Sequence, residues 1–200
     1  YEEPLITREP RPIPTMYQNC KYKDATAMVF KLCPYIYQTI HCALGSDDAS
    51  MNHFVNWFAY IIQTRSKTGT AWVISGVSGT GKGVLFHKIC APILGRKNTS
   101  TLRTDTTEDM FNGFMETSLL VHVDEFEASS NRKSDRKIID KLKNFITEPT
   151  ISIRKMRENP VDRESYSNFI LASNSTTPLI LEGFDRRFNM SPRQEKSLEE

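Results

Sequence analysis

"TAWVISGVSGTGKGVLF", residues 70–86, is the stretch on which the reading of this chain turns. A short apolar run, Ala71 to Ile74, leads into small residues in which Gly76, Gly81 and Lys82 meet the pattern G-x-x-x-x-G-K, with Gly79 between them. Apolar residues bounded by glycine predict a buried strand, and Val84, Leu85 and Ile89 in "KGVLFHKICAPILG" predict a helix stopped near Pro92 and Gly95. Strand, glycine loop and helix in that order bring successive amides and a helix N-terminus onto one anionic site. The residues of that candidate phosphate loop are Gly76, Val77, Ser78, Gly79, Thr80, Gly81, Lys82, Gly83 and Val84. A structural glycine turn beside a solvated lysine would use the same letters, so the context has to decide.

Outward from the loop, "SLLVHVDEF" (118–126) and "SNFILASN" (167–174) read as two more buried strands. Between them "SDRKIIDKLKNFITEP" (134–149) places Ile138, Ile139, Leu142, Phe145 and Ile146 on one helical stripe that Pro149 ends. "TLRTDTTEDMFNGFME" (101–116) reads as a short strand or loop and then a helix. Strands alternating with helices predict an α/β fold with a mostly parallel sheet covered on both faces. Ahead of the loop, residues 25–44 and 51–67 carry helical spacing, the second placing Phe54, Phe58, Ile61 and Ile62 on one face, and predict a small helical subdomain.

The strand ends carry the chemistry. "LLVHVDE" delivers Asp124 and Glu125 to the carboxyl end of a strand, the edge where open α/β sheets bind ligands. There Asp124 is the candidate for holding Mg²⁺, directly or through water, and Glu125 for orienting the attacking water. An acidic surface turn is the alternative for these two taken alone. Asn174 ends the third strand, where an amide can hydrogen-bond a terminal phosphate or the water. In "GFDRRF" (183–188), Arg186 and Arg187 lie beyond that strand; a guanidinium there can stabilise charge on a transferring phosphoryl group.

Composition sets the outer bounds. The 200 residues are 38% hydrophobic and 25% charged with a net charge of +2, an ordinary globular balance. No apolar run reaches the roughly 18 residues of a membrane span and no leader is evident, so a cytoplasmic location is expected. The four cysteines show no C-x-x-C pair; a metal site from Cys20, Cys33, His41 and Cys42 has no recognisable ligand spacing. The start "YEEPLITREPRPIP" has four prolines in fourteen positions and reads as a linker from an earlier domain. Residues 131–163 hold ten Lys/Arg against five Asp/Glu, so the positive charge is concentrated. Within that stretch "ISIRKM" alternates like a strand, "RENP" suits a turn and "VDRESYSNF" returns toward the strand that ends at Asn174. A projecting hairpin would offer Arg154, Lys155 and Arg157 to a phosphate backbone. A solvated basic helix face is an equal reading of Arg132, Lys133, Arg136 and Lys137.

In their order and within about 115 positions, "GVSGTGKG", "VHVDE", "ITEPTISIRKM", "ILASN" and "DRRF" resemble superfamily 3 helicases, a branch of the AAA+ ATPases, over roughly residues 25–190. The likeness is greatest to the helicase-like part of phage and plasmid primase-helicases and primase-polymerases. It implies a five-stranded parallel sheet between helices, fronted by a helical bundle and assembled as a ring, commonly a hexamer, around DNA. It further implies ATP and Mg²⁺, single-stranded or forked DNA as partner, and an N-terminal primase or polymerase domain in the same chain. By the same resemblance Asn174 is the first sensor, Arg186 or Arg187 the finger reaching a neighbour's nucleotide, and Lys155 the hairpin lysine. The expected division is a linker (1–24), a helical subdomain (25–68), the ATPase core (69–192) and a truncated tail (193–200).

Gly83 departs from the family pattern, which places there a Ser or Thr whose hydroxyl coordinates Mg²⁺. Three functions therefore stand open: a DNA helicase motor; a nucleotide-binding assembly and DNA-binding module with weak catalysis; and a P-loop small-molecule kinase.

Overall fold

The structure, a computed structural model, describes residues 31–103, 113–129, 133–153, 160–180 and 185–198. Helix α1 (Pro34–Ala43) starts on a proline, whose missing N–H is no loss in a first turn. Helix α2 (Asp48–Thr64) is capped by Asp47, whose carboxylate accepts from the Ser50 amide at 2.7 Å. Strand β1 (Ala71–Ser75) follows, then the glycine loop. After the loop come α3 (Lys82–Val84), a π-helical stretch (Leu85–Cys90) and α4 (Ala91–Leu94). The remaining elements are β2 (Thr99–Arg103), β3 (Leu120–Asp124), β4 (Ala128–Ser129), α5 (Lys133–Thr147), β5 (Thr150–Ile153), β6 (Val161–Glu164), β7 (Asn168–Ser173), β8 (Leu179–Ile180) and β9 (Phe188–Met190).

Five strands form one parallel sheet in the order β2-β3-β7-β1-β9, as the α/β reading requires. The period-2 alternation divides its side chains between two cores. Trp72, Ile74, Leu120 and Ile170 face α1, α2 and the π-helical stretch, where Phe54, Trp57, Phe58, Ile61, Leu85 and Phe86 are buried with them. Ala71, Val73, Val121, Val123, Phe169 and Leu171 face α5, whose stripe of Ile138, Ile139, Leu142, Phe145 and Ile146 meets them as the spacing predicts. The central strands β1 and β7 are buried at every position, which accounts for their unbroken apolar runs.

The structure corrects some details. Ile62 is 39% exposed and the α2 face is completed by Trp57, whose indole N–H donates to Thr68 and Thr70 hydroxyls just before β1. Val84 is 44% exposed and only Leu85 of that predicted face is fully buried, because the helix widens at once into π geometry. The Ala91 amide bonds to the Phe86 carbonyl, five residues back, so the following Pro92 is accommodated and helix continues to Leu94. Arg186 and Arg187 are followed by a further strand, β9, which pairs with β1. The 1–24 linker and the beginning of the predicted first helix lie outside the described residues.

Candidate functional site

The candidate phosphate loop leaves β1 at the carboxyl edge of the sheet. Gly79 (φ 84°) and Gly81 (φ 87°) take the left-handed conformation that only glycine adopts without strain. Gly76 is required for a different reason. A Cβ there would stand 2.8 Å from the Gln194 carbonyl oxygen. Lys82 lies along the loop, its Nζ donating to the Gly76 carbonyl (2.7 Å), the Val77 carbonyl (2.9 Å) and the Thr80 hydroxyl (3.1 Å). Thr80 is buried, whereas Ser78, Gly79, Gly83 and Val84 are exposed. Burial lowers the Lys82 ammonium below the usual lysine range; the Arg193 charge lowers it further and Asp124 opposes both.

The twin acids and the amide reach the same edge. Leu120, His122 and Asp124 alternate onto one face of β3, the face that carries the π-helical stretch, and Asp124 is half-buried at the strand end. Its Oδ1 accepts from the Glu125 amide at 3.1 Å, and Glu125 itself turns into a left-handed conformation (φ 54°) and is exposed. A non-glycine residue held there is strained, a feature concentrated at functional sites. β7 lies between β1 and β3, with Ser173 opposite Ser75 and the Gly76 amide donating to the Ser173 carbonyl. Asn174, the next residue, is exposed beside the loop. Lys82, Asp124, Glu125 and Asn174 thus stand on one rim. The donor set suits a hard cation that keeps most of its water: one strand-end carboxylate at Asp124, a second at Glu125, and no hydroxyl at Gly83.

Arg186 and Arg187 are elsewhere. The Arg187 carbonyl accepts from the Ala71 amide at 2.8 Å, which fixes the pair at the amino edge of β1. Five residues of strand, on the order of 16 Å, separate that edge from the loop. Arg187 is committed locally: Nε and Nη2 donate to the two Asp185 oxygens at 2.9 and 3.1 Å, and Lys143 approaches Asp185 at 3.3 Å. Burial opposes the Asp185 charge, but those hydrogen bonds outweigh it and hold the carboxyl below its ordinary range. Arg186 is exposed and has no ion pair among the described residues; it lines a cleft of about 760 Å³ together with Gly69, Thr147, Asp185 and Arg187.

The predicted hairpin forms: β5 and β6 pair antiparallel from Thr150 opposite Glu164 to Ile153 opposite Val161. Ile151 and Ile153 root it in the α5-side core while every residue of β6 is exposed. Arg154, Lys155 and Arg157 lie outside the described residues.

One set of residues escaped sequence reasoning. Residues 191–198, largely set aside as a tail, run along the loop. The Gln194 amide donates to the Ser75 carbonyl, the Val77 amide to the Gln194 carbonyl, and the Leu198 amide to the Gly79 carbonyl. Arg193 Nη1 donates to the Asn174 and Ser175 carbonyls at 3.0 and 2.7 Å. "SPRQEKSL" has no apolar period and no glycine pattern, so no local signal marks it. Among the described residues no helix is long and apolar enough to cross a membrane, and no cluster of three or more His, Cys, Asp or Glu could hold a metal.

Fold and rim together define an α/β domain with a glycine loop at the carboxyl edge of a five-stranded parallel sheet between helices. The chain belongs to a family of unknown function, DUF5906, whose model matches residues 74–187. It is 37% identical over 144 residues to the DNA primase-polymerase of Nitratiruptor phage NrS-1, covering 72% of this chain and 20% of that protein. The apo structure of the NrS-1 C-terminal region superposes with a TM-score of 0.72 at 31% identity, over 82% of this chain and 39% of that one. The JCV helicase bound to a small molecule shares the fold alone: TM-score 0.51 at 13% identity, over 79% and 43% of the two chains. The chain therefore spans about a fifth of its curated relative and two fifths of the solved region. The resemblance to phage primase-polymerases is thereby shown, as is the α/β fold with a five-stranded parallel sheet between helices.

Proposed function

We propose that this chain is the ATP-dependent motor domain of a phage or plasmid DNA replication protein, working in the cytoplasm of its host cell. The observation that carries the reading is the meeting of Lys82, Asp124, Glu125 and Asn174 on one sheet edge. In this reading the loop amides and Lys82 bind the phosphates, the ammonium exchanging its three loop acceptors for phosphate oxygens. Asp124 holds Mg²⁺, directly or through water, and the ion neutralises phosphate charge. Glu125 orients the attacking water, and Asn174 hydrogen-bonds that water or the terminal phosphate.

Arg186 is the finger. Its place at the amino edge keeps it from its own loop, and Arg187 is engaged with Asp185, so Arg186 serves the nucleotide of a neighbouring copy in a ring, a hexamer by family likeness. DNA, single-stranded or forked, meets the hairpin carried by β5 and β6 and its basic residues Arg154, Lys155 and Arg157. An N-terminal primase or polymerase domain accompanies it in the full protein, as the name of the NrS-1 relative suggests.

The test is direct. Lys82→Ala is expected to abolish Mg²⁺-ATP binding by calorimetry while leaving the melting temperature within about 3 °C, and wild-type hydrolysis is expected to rise with single-stranded DNA. Unchanged ATP affinity in the Lys82 variant would end this reading. Gly83 supports a second one, a nucleotide-bound assembly and DNA-binding module with slow turnover; oligomers and DNA binding without phosphate release would select it.

A further inference from the structure

We propose that Arg193 is a second anion-binding residue of the nucleotide site, supplied by the same subunit as the phosphate loop and held there by the segment 191–198. The inference rests on the nucleotide-binding reading above and extends it to a residue outside all of the loop, strand-end and finger positions.

The segment is built around the loop from three sides. Its amide ladder to Ser75, Val77 and Gly79 follows the loop backbone, and Leu198 lies so close to Gly81 that a Cβ there would meet its Cδ1 at 2.8 Å. The Gln194 side chain donates to the Cys42 carbonyl (3.3 Å) and the Ser46 hydroxyl (2.7 Å), tying the segment to the turn between α1 and α2. That turn is shaped for it: a Cβ on Gly45 would overlap the Pro192 carbonyl. Arg193 is thus fixed by its neighbours on both sides.

Its side chain is then aimed by hydrogen bonds. Nη1 spans the Asn174 and Ser175 carbonyls at the end of β7, and Nε donates to Glu195 Oε1 at 2.8 Å. Nη2 has no partner among the described residues, and the side chain is only 19% exposed. A guanidinium so placed is bonded to the backbone of Asn174 and lies near enough to Lys82 for its charge to act on the ammonium. After burial, it is the largest influence lowering the Lys82 ammonium, ahead of the opposing Asp124. Holding two cations within mutual influence in a partly dry site is unfavourable by itself and is relieved when an anion shares them. The polyphosphate of a nucleoside triphosphate is an anion of that kind, and its distal phosphates would feel Arg193 more than an α-phosphate would.

The experiment measures ATP, ADP and AMP affinities by calorimetry with Mg²⁺ on the 200-residue chain and on Arg193→Gln, Arg193→Lys and Lys82→Ala. Glutamine keeps an N–H₂ group able to hold the carbonyls but removes the charge; lysine keeps the charge. Arg193→Gln is expected to weaken ATP about 10-fold and AMP less than 2-fold, and Arg193→Lys to recover most of the loss. A merely structural clip would not separate ATP from AMP. Equal losses for the two, or ATP affinity unchanged in Arg193→Gln, would overturn the proposal while leaving the Lys82 result standing. Failure of wild-type chain to bind ATP would overturn this proposal and the underlying reading together. Should Arg193→Gln not fold, Glu195→Gln decides, because it removes the carboxylate charge that offsets the guanidinium while its amide oxygen can still accept from Nε. Tightening of ATP by about 2-fold or more supports the assignment, and no change refutes it.

Discussion

The two edges of the central sheet are built from different materials. At the carboxyl edge the backbone does the work: left-handed glycines, amides between neighbouring strands, and a lysine bonded to its own loop carbonyls. At the amino edge side chains do it, with Asp185 gripped by Arg187 and Lys143 while Arg186 projects from a cleft. A backbone cradle can be rigid and selective for phosphate, and here the charges of Lys82 and Arg193 supplement it. The side-chain edge has charge to spare and no cradle. The two unlike edges lie on the order of 16 Å apart along β1, and the proposed ring would bring one edge of a copy to the other edge of its neighbour.

That division is broken or upheld most strongly by the arginines. Arg186→Ala is expected to lower ATP turnover by about 10³-fold or more while ATP affinity changes only a few-fold, measured by phosphate release and by calorimetry. Mixing Arg186→Ala with Lys82→Ala subunits is expected to restore part of the activity, since some interfaces then pair an intact loop with an intact finger. No complementation would place the finger in its own subunit. Arg187→Ala should behave differently: it leaves Asp185 with only Lys143 and the backbone amide at position 187, and is expected to cost about 1–3 kcal/mol of stability, read as a lower melting temperature.

The carboxyl edge has a buried partner of its own. His122 is fully buried, and neither ring nitrogen has a hydrogen-bond partner among the described residues. Its ring stacks on Phe86 of the π-helical stretch at 4.7 Å, with His87 edge-on at 5.5 Å. Burial pushes the imidazole down to about 4, with Asp124 raising it and His87 lowering it to lesser degrees. The folded state then binds fewer protons than the unfolded chain between the ordinary value of 6.5 and about 4. Stability is retained above 6.5 and falls as pH drops through that window, by up to about 3 kcal/mol. His122→Leu, similar in volume, is expected to flatten this dependence, with melting temperatures compared at pH 7 and 4.5. An unchanged pH profile would mean that the imidazole finds a partner when protonated.

Much of this was legible in the letters because it depends on short-range chemistry. The loop glycines, the acids after "LLVHV" and the α5 stripe each follow from local periodicity or backbone demands, and each lies where that reasoning puts it. The hairpin was legible too, from the alternation of "ISIRKM" and the return in "VDRESYSNF". Other features are set by contacts distant in sequence. Ile62 loses the α2 face to Trp57 because Thr68 and Thr70 come back to meet the indole. Arg193 and Gln194 reach their places only through Ser75, Asn174 and Ser46, and no periodicity in "SPRQEKSL" could announce that. That Asp185 occupies Arg187 and leaves Arg186 exposed likewise could not be read from the letters.

The smallest expected effect addresses whether the backbone edge is complete. Gly83 does not have positive φ, and a Cβ added there meets nothing within 4 Å. A serine is therefore accommodated without strain, and in either variant replacing a helical glycine stabilises the chain by roughly 0.5–1 kcal/mol. Gly83→Ser adds a hydroxyl ligand for Mg²⁺ at the loop; Gly83→Ala adds a somewhat greater helical preference without it. Gly83→Ser is expected to raise turnover about 5-fold, roughly 1 kcal/mol of barrier, and Gly83→Ala to leave it unchanged. Equal turnover in all three proteins would mean that water already fills the ligand position as well as a hydroxyl does. The limit on rate would then lie at the other edge of the sheet, in how often Arg186 of a neighbour arrives.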